Sequence, residues 1–61
     1  MTQHDILVRD ISGQFFWVCG IFHDDLADAI KLATSEAAGL EYVSHKTYKL
    51  LNGKWEIQNG V

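Results

Sequence analysis

Residues 14–22 read Gln-Phe-Phe-Trp-Val-Cys-Gly-Ile-Phe, and after Gln14 the run carries no charge. It holds all three Phe residues of the chain, one of its two Trp and its single Cys. Side chains of a strand point alternately to its two faces, so a half-solvated strand alternates in polarity. This one does not. Strict alternation puts Phe15, Trp17, Cys19 and Ile21 on one face and Phe16, Val18 and Phe22 on the other. A strand apolar on both faces requires cover on both. The rest of the chain has material for one covering layer, so the run predicts a central place in a sheet, or a second molecule on the bare side.

The flanking segments fit a small mixed fold. Residues 6–11, Ile-Leu-Val-Arg-Asp-Ile, are rich in β-branched side chains and predict a first strand. Ser12-Gly13 predicts the turn that folds the aromatic run back on it, because glycine accepts positive φ without a Cβ penalty. His23-Asp24-Asp25 stops the second strand and opens a helix. Asp24 or Asp25 can cap its free amides, and both, with Asp28, sit where the positive end of the helix dipole favours acids. Leu26, Ala29, Ile30, Ala33 and Ala37 recur at spacings of three and four and share one face, which Gly39 ends.

Residues 40–51 predict a long third strand. Asn52-Gly53 is the strongest short-range signal for a two-residue hairpin, and it sets the register. Leu51 faces Lys54, Leu50 faces Trp55, Lys49 faces Glu56 and Tyr48 faces Ile57. Opposed residues share a face, so Leu50, Trp55, Tyr48 and Ile57 make a dry side, with Thr47, Lys49, Glu56 and Gln58 on the wet one. Trp55 packed across from Leu50 is expected to act as a core anchor. The layout is a two-layer α+β domain over residues 1–61, β-β-α-β-β, with one helix packed on a four-stranded, mainly antiparallel sheet.

Composition narrows the functional classes. Sixty-one residues with 48% hydrophobic content and no Pro describe a small globular domain, not a disordered segment. One Cys excludes an internal disulfide framework and points to a reducing, cytoplasmic setting. The first residues have no signal-peptide pattern, and no apolar run approaches the roughly 20 residues of a membrane helix. A net charge of −3 without a cluster of Lys or Arg disfavours direct nucleic-acid or anionic-lipid binding.

Catalytic and metal chemistry find little footing. His4, His23, His45, Cys19, Asp24 and Asp25 lack the paired close spacings of zinc sites, so no metal is expected. Cys19 with His45 as base would be a nucleophile pair, but the thiol lies in the most apolar run, where thiols are inert. No phosphate loop or nucleophile elbow is present, and a domain of this size has little room for a substrate pocket. No cofactor and no enzymatic activity are expected. The acids Asp24, Asp25, Asp28, Glu36 and Glu41 would suit phosphate mimicry, but that needs an extended array of charge, and dipole complementation and a solvated face are the simpler account.

Two likenesses bear on function. Leu26, Ala29, Ala33 and Glu36 on the helix, followed by Asn52-Gly53-Lys54-Trp55, resemble the layout of small phage-encoded anti-CRISPR and related anti-defence proteins. Residues 13–18, Gly-Gln-Phe-Phe-Trp-Val, with residues 25–30, Asp-Leu-Ala-Asp-Ala-Ile, are similar to the strand-strand-helix of Hic-type antitoxins, which bind a small RNase toxin. That family's Pro-rich loop between strand and helix is replaced here by Phe22-His23-Asp24. Both likenesses imply a non-enzymatic, cytoplasmic inhibitor that occupies a protein partner, in the first case a host immunity complex or its nucleic-acid site. The contact residues expected are Phe15, Phe16, Trp17, Val18 and Phe22, with Asp24, Asp25 and Asp28 as a steering rim. A homodimer over the bare face is expected too. The alternative from another class is a ligand-binding or ligand-sequestering oligomer with its pocket between subunits.

Overall fold

A computed structural model describes residues 1–58; the last three residues of the expected domain lie outside the described residues. The element order is β1 (Thr2–Arg9), β2 (Phe15–Phe22), α1 (Leu26–Thr34), β3 (Glu41–Leu51) and β4 (Lys54–Ile57). This is the expected β-β-α-β-β arrangement, an α+β fold with one antiparallel sheet. The strand order is β2-β1-β3-β4. The doubly apolar β2 therefore lies at an edge, not at the centre. The reason is that β1 takes the inner place between β2 and β3, and the second hairpin holds β4 on the far side of β3, so β2 has no second neighbour.

The core is small and sits on β1. Among the described residues Ile6 and Val8 are its two fully buried large side chains, and the helix covers them with Ala29 and Ala33. Val18, Ile21, Leu26, Ile30 and Leu40 close around this cluster. Ala at the two contact positions lets the helix backbone approach the sheet, which is why so short a helix completes a core. Asp25 is the N-cap, in extended conformation, its Oδ1 accepting from the Ala27 amide at 2.9 Å. The helix stops at Thr34, before the expected Gly39, and Ala37 falls beyond it, exposed. Thr34 Oγ1 donates to the Ile30 carbonyl at 2.9 Å and Ser35 Oγ to Leu32 at 2.7 Å. Hydroxyls that bond nearby carbonyls compete with the helical ladder.

The β1–β2 connection is organised by Asp10. Its Oδ1 accepts from the Ser12 hydroxyl at 2.6 Å and from the Ser12 and Gln14 amides at 2.9 and 3.0 Å. The Ser12 hydroxyl first, then the Gln14 amide, holds the carboxyl below its ordinary value of 3.8. A carboxylate with a depressed folded-state value stabilises the fold above the unfolded value, and the contribution is lost as pH falls through the folded one. The gap in melting temperature between the parent and Asp10→Ala is therefore expected to stay constant from neutral pH down to about 3.8 and to close below it. A gap that already closes near neutrality would contradict this arrangement.

Candidate functional site

Pairing assigns the strand residues outside the bulges to a face. Opposite partners share a face, and the buried His4, Ile6 and Val8 mark the helix side of β1. Their partners on β2 are Ile21, Val18 and Phe16. The remaining pairs, Gln3 with Phe22, Leu7 with Trp17 and Arg9 with Phe15, belong to the open side. Strict alternation thus fails between Val18 and Ile21. There β2 carries one residue more than β1, a bulge in which Gly20 has φ +74° and donates its amide to Asp5 Oδ1 at 2.9 Å. Ile21 is turned toward the helix and Phe22 toward the open side, the reverse of the expected placement of both. Cys19, at the bulge, is exposed, not a core residue.

The open face can be read as rows across the sheet. One row runs Phe22, Gln3, Tyr48, Ile57, and the next brings Leu50 and Trp55 together. The register of the second hairpin is the expected one at all four pairs. Its dry side, however, is turned away from the helix. Trp55 is exposed on the open face and does not anchor a core, although its ring lies 6.0 Å from that of Phe22. A middle row, beside the bulge, pairs Asp5 with Lys46; beyond it come Trp17, Leu7 and Ser44, then Phe15, Arg9 and Glu41. The Lys46 ammonium sits 5.2 Å from the Trp17 ring centroid, a cation–π distance. Arg9 and Glu41 form an ion pair.

Of the expected contact residues, Phe15, Trp17 and Phe22 share this face. Phe16 and Val18 lie on the helix side, Val18 against the core and Phe16 still partly exposed beyond the helix. Leu7, Tyr48, Leu50, Trp55 and Ile57 join the face without having been singled out for it. For the last four the signal was the clean alternation of the second hairpin, which tells that one side is apolar but not which way it points.

The acidic rim stands at one corner. Asp25 is committed to capping. Asp28 Oδ2 lies 3.8 Å from His23 Nε2, while His23 Nδ1 accepts the Asp25 amide at 3.2 Å, which places the ring proton toward Asp28. Asp24 is exposed and makes no side-chain hydrogen bond among the described residues. With Met1, Thr2, Phe22 and His23 it lines a shallow cleft of about 310 Å³. On the helix side, His4 is buried, its Nε2 donating to the His23 carbonyl at 2.8 Å and its Nδ1 bonded to Thr47 Oγ1 at 3.0 Å. His45 shares a 2.6 Å hydrogen bond with the Tyr42 hydroxyl. Among the described residues no three His, Cys, Asp or Glu side chains converge as metal ligands, and no helix is long and apolar enough to cross a membrane. No protein-family model, characterised protein or solved structure matches the chain.

Proposed function

We propose that the chain is a non-enzymatic protein-binding inhibitor that works by laying the open face of its sheet over a partner's functional surface. One observation carries this reading. Phe15 is 60%, Trp17 42%, Phe22 58% and Trp55 41% exposed, all on the side the helix does not cover. At about 200 Å² for a whole aromatic side chain, these four leave roughly 400 Å² of aromatic surface in water. Leu50 and Ile57 extend it, and apolar patches beyond a few hundred square ångströms mark interaction sites. The mixture of Trp and Phe with Arg9 has the composition of an interface centre, where aromatics and Arg are enriched. The likeness to anti-defence proteins and to Hic-type antitoxins supports the inhibitory sense of the reading. The 310 Å³ cleft beside Phe22 stands at the lower end of ligand pockets, roughly 300–1,000 Å³, and is shallow, so it supports the ligand-sequestering alternative less well.

The test is affinity capture with the wild-type chain, with Trp17→Glu and with Glu56→Gln on the opposite side of the sheet. The expected result is a protein held by wild type and Glu56→Gln, lost with Trp17→Glu, and inhibited by the purified chain in its own assay. Retention by Trp17→Glu, or capture without inhibition, would overturn the reading.

A further inference from the structure

The geometry points to a second copy of this chain as an occupant of the open face, in a two-fold dimer that stacks sheet on sheet; this rests on the reading of that face as a docking surface. Three observations converge on it, beginning with the edge. An unguarded edge strand invites strand-to-strand pairing, and a bulge is one of the devices that block it. β2 is such an edge, and its bulge at Cys19-Gly20 interrupts it in mid-strand. Association is thereby directed from the edge to the face.

Charge is the second. The chain carries −3 overall, yet the four ionic side chains of the open face cancel: Asp5 against Lys46 and Arg9 against Glu41, each acid and base on neighbouring strands of one row. A two-fold axis along the strands, between β1 and β3, lays β1 of each copy over β3 of the other. Asp5 then faces Lys46 of the second copy, and Arg9 faces its Glu41. An axis across the strands through the Asp5–Lys46 row would instead set Asp5 against Asp5 and Lys46 against Lys46. The first arrangement is self-complementary, as a two-fold interface must be, and it also brings Phe22 on β2 over Ile57 on β4.

Area is the third. A standard interface takes about 800 Å² from each partner. The roughly 400 Å² of aromatic surface supplies half, and Leu50, Ile57 and the half-buried Leu7 and Tyr48 enlarge it. Stacking two open faces leaves the helices outside and covers β2 on both sides, which its composition requires. Self-association and partner capture then compete for one surface.

Sedimentation velocity at low micromolar concentration tests this on the wild type, Lys46→Glu and Phe22→Glu. All three are checked for folding by circular dichroism. The wild type is expected near twice the 6.9 kDa chain mass, and each variant is expected to weaken association at least tenfold, Lys46→Glu by placing a carboxylate against Asp5 of the second copy. The pair Arg9→Glu with Glu41→Arg restores opposite charges across the axis and is expected to remain dimeric. A wild-type monomer overturns the dimer, as does a dimer indifferent to both Lys46→Glu and Phe22→Glu. If that monomer still captures a protein through Phe22, the docking surface stands without its second copy; if capture ignores Phe22, both fall.

Discussion

Ile6→Ala is expected to leave the chain largely unfolded. Among the described residues Ile6 and Val8 are the two large side chains wholly withdrawn from water, and the helix reaches the sheet through two alanines. Truncating a buried Ile to Ala costs about 2–5 kcal/mol, the upper end applying where the site cannot collapse. A chain of this length has in total about 3–9 kcal/mol at ordinary stability per residue. One substitution therefore removes a large share of it. At 4–8 °C per kcal/mol for small domains, a fall of roughly 15 °C or more is expected in thermal denaturation at fixed protein concentration. Phe16→Ala serves as the control, since Phe16 is on the same side of the sheet but partly exposed beyond the helix; it is expected to lose less than half as much. Equal losses would mean that the core is wider than Ile6, Val8, Ala29 and Ala33.

Local chemistry was legible where it was self-contained. Asn52 at φ +51° and Gly53 at φ +77° make the two-residue turn that the dipeptide signals, and all four cross-strand pairs follow from it. The cap, to within Asp24 or Asp25, and the Ser12-Gly13 turn were legible for the same reason: each is decided within a few residues. The strand order was not, because it depends on which strand β1 recruits on its far side. Nor was the side of the sheet that the helix covers. That choice follows from the buried stripe His4, Ile6, Val8 on β1, residues far in sequence from the hairpin whose dry side it turned outward. The bulge did leave a trace. An isolated glycine inside a strand pattern is a bulge signal, and reading Gly20 as one moves Ile21 inward and Phe22 outward. Strict alternation through the same residues gives the opposite answer for both. The apolar excess of β2 was readable from composition alone; its division between core and open face needed one extra residue to be located.

The largest effect expected outside the apolar cluster is at His4. This ring is buried on the helix side and joins two distant segments. Nε2 donates to the His23 carbonyl at 2.8 Å, and since a carbonyl only accepts, the proton is on Nε2. Nδ1 is then the acceptor for the Thr47 hydroxyl at 3.0 Å. His4→Phe keeps a ring of similar shape and removes both bonds. A buried polar group left without a partner costs about 1–3 kcal/mol, so the loss for the two is expected at about 2–6 kcal/mol in denaturant titration. Thr47→Val introduced with it is expected to recover the part due to the hydroxyl, because both partners of that bond are then apolar. His4→Gln, which can present an amide N–H to the same carbonyl, is expected to recover the other part. The consequence reaches the open face, since His23 follows Phe22 directly and its ring accepts the amide of the capping Asp25. Loosening this corner frees Phe22 from its place beside Trp55, so His4→Phe is expected to weaken association as well as folding. A variant as stable as the parent would show that the strand and helix are joined without this hydrogen-bonded ring.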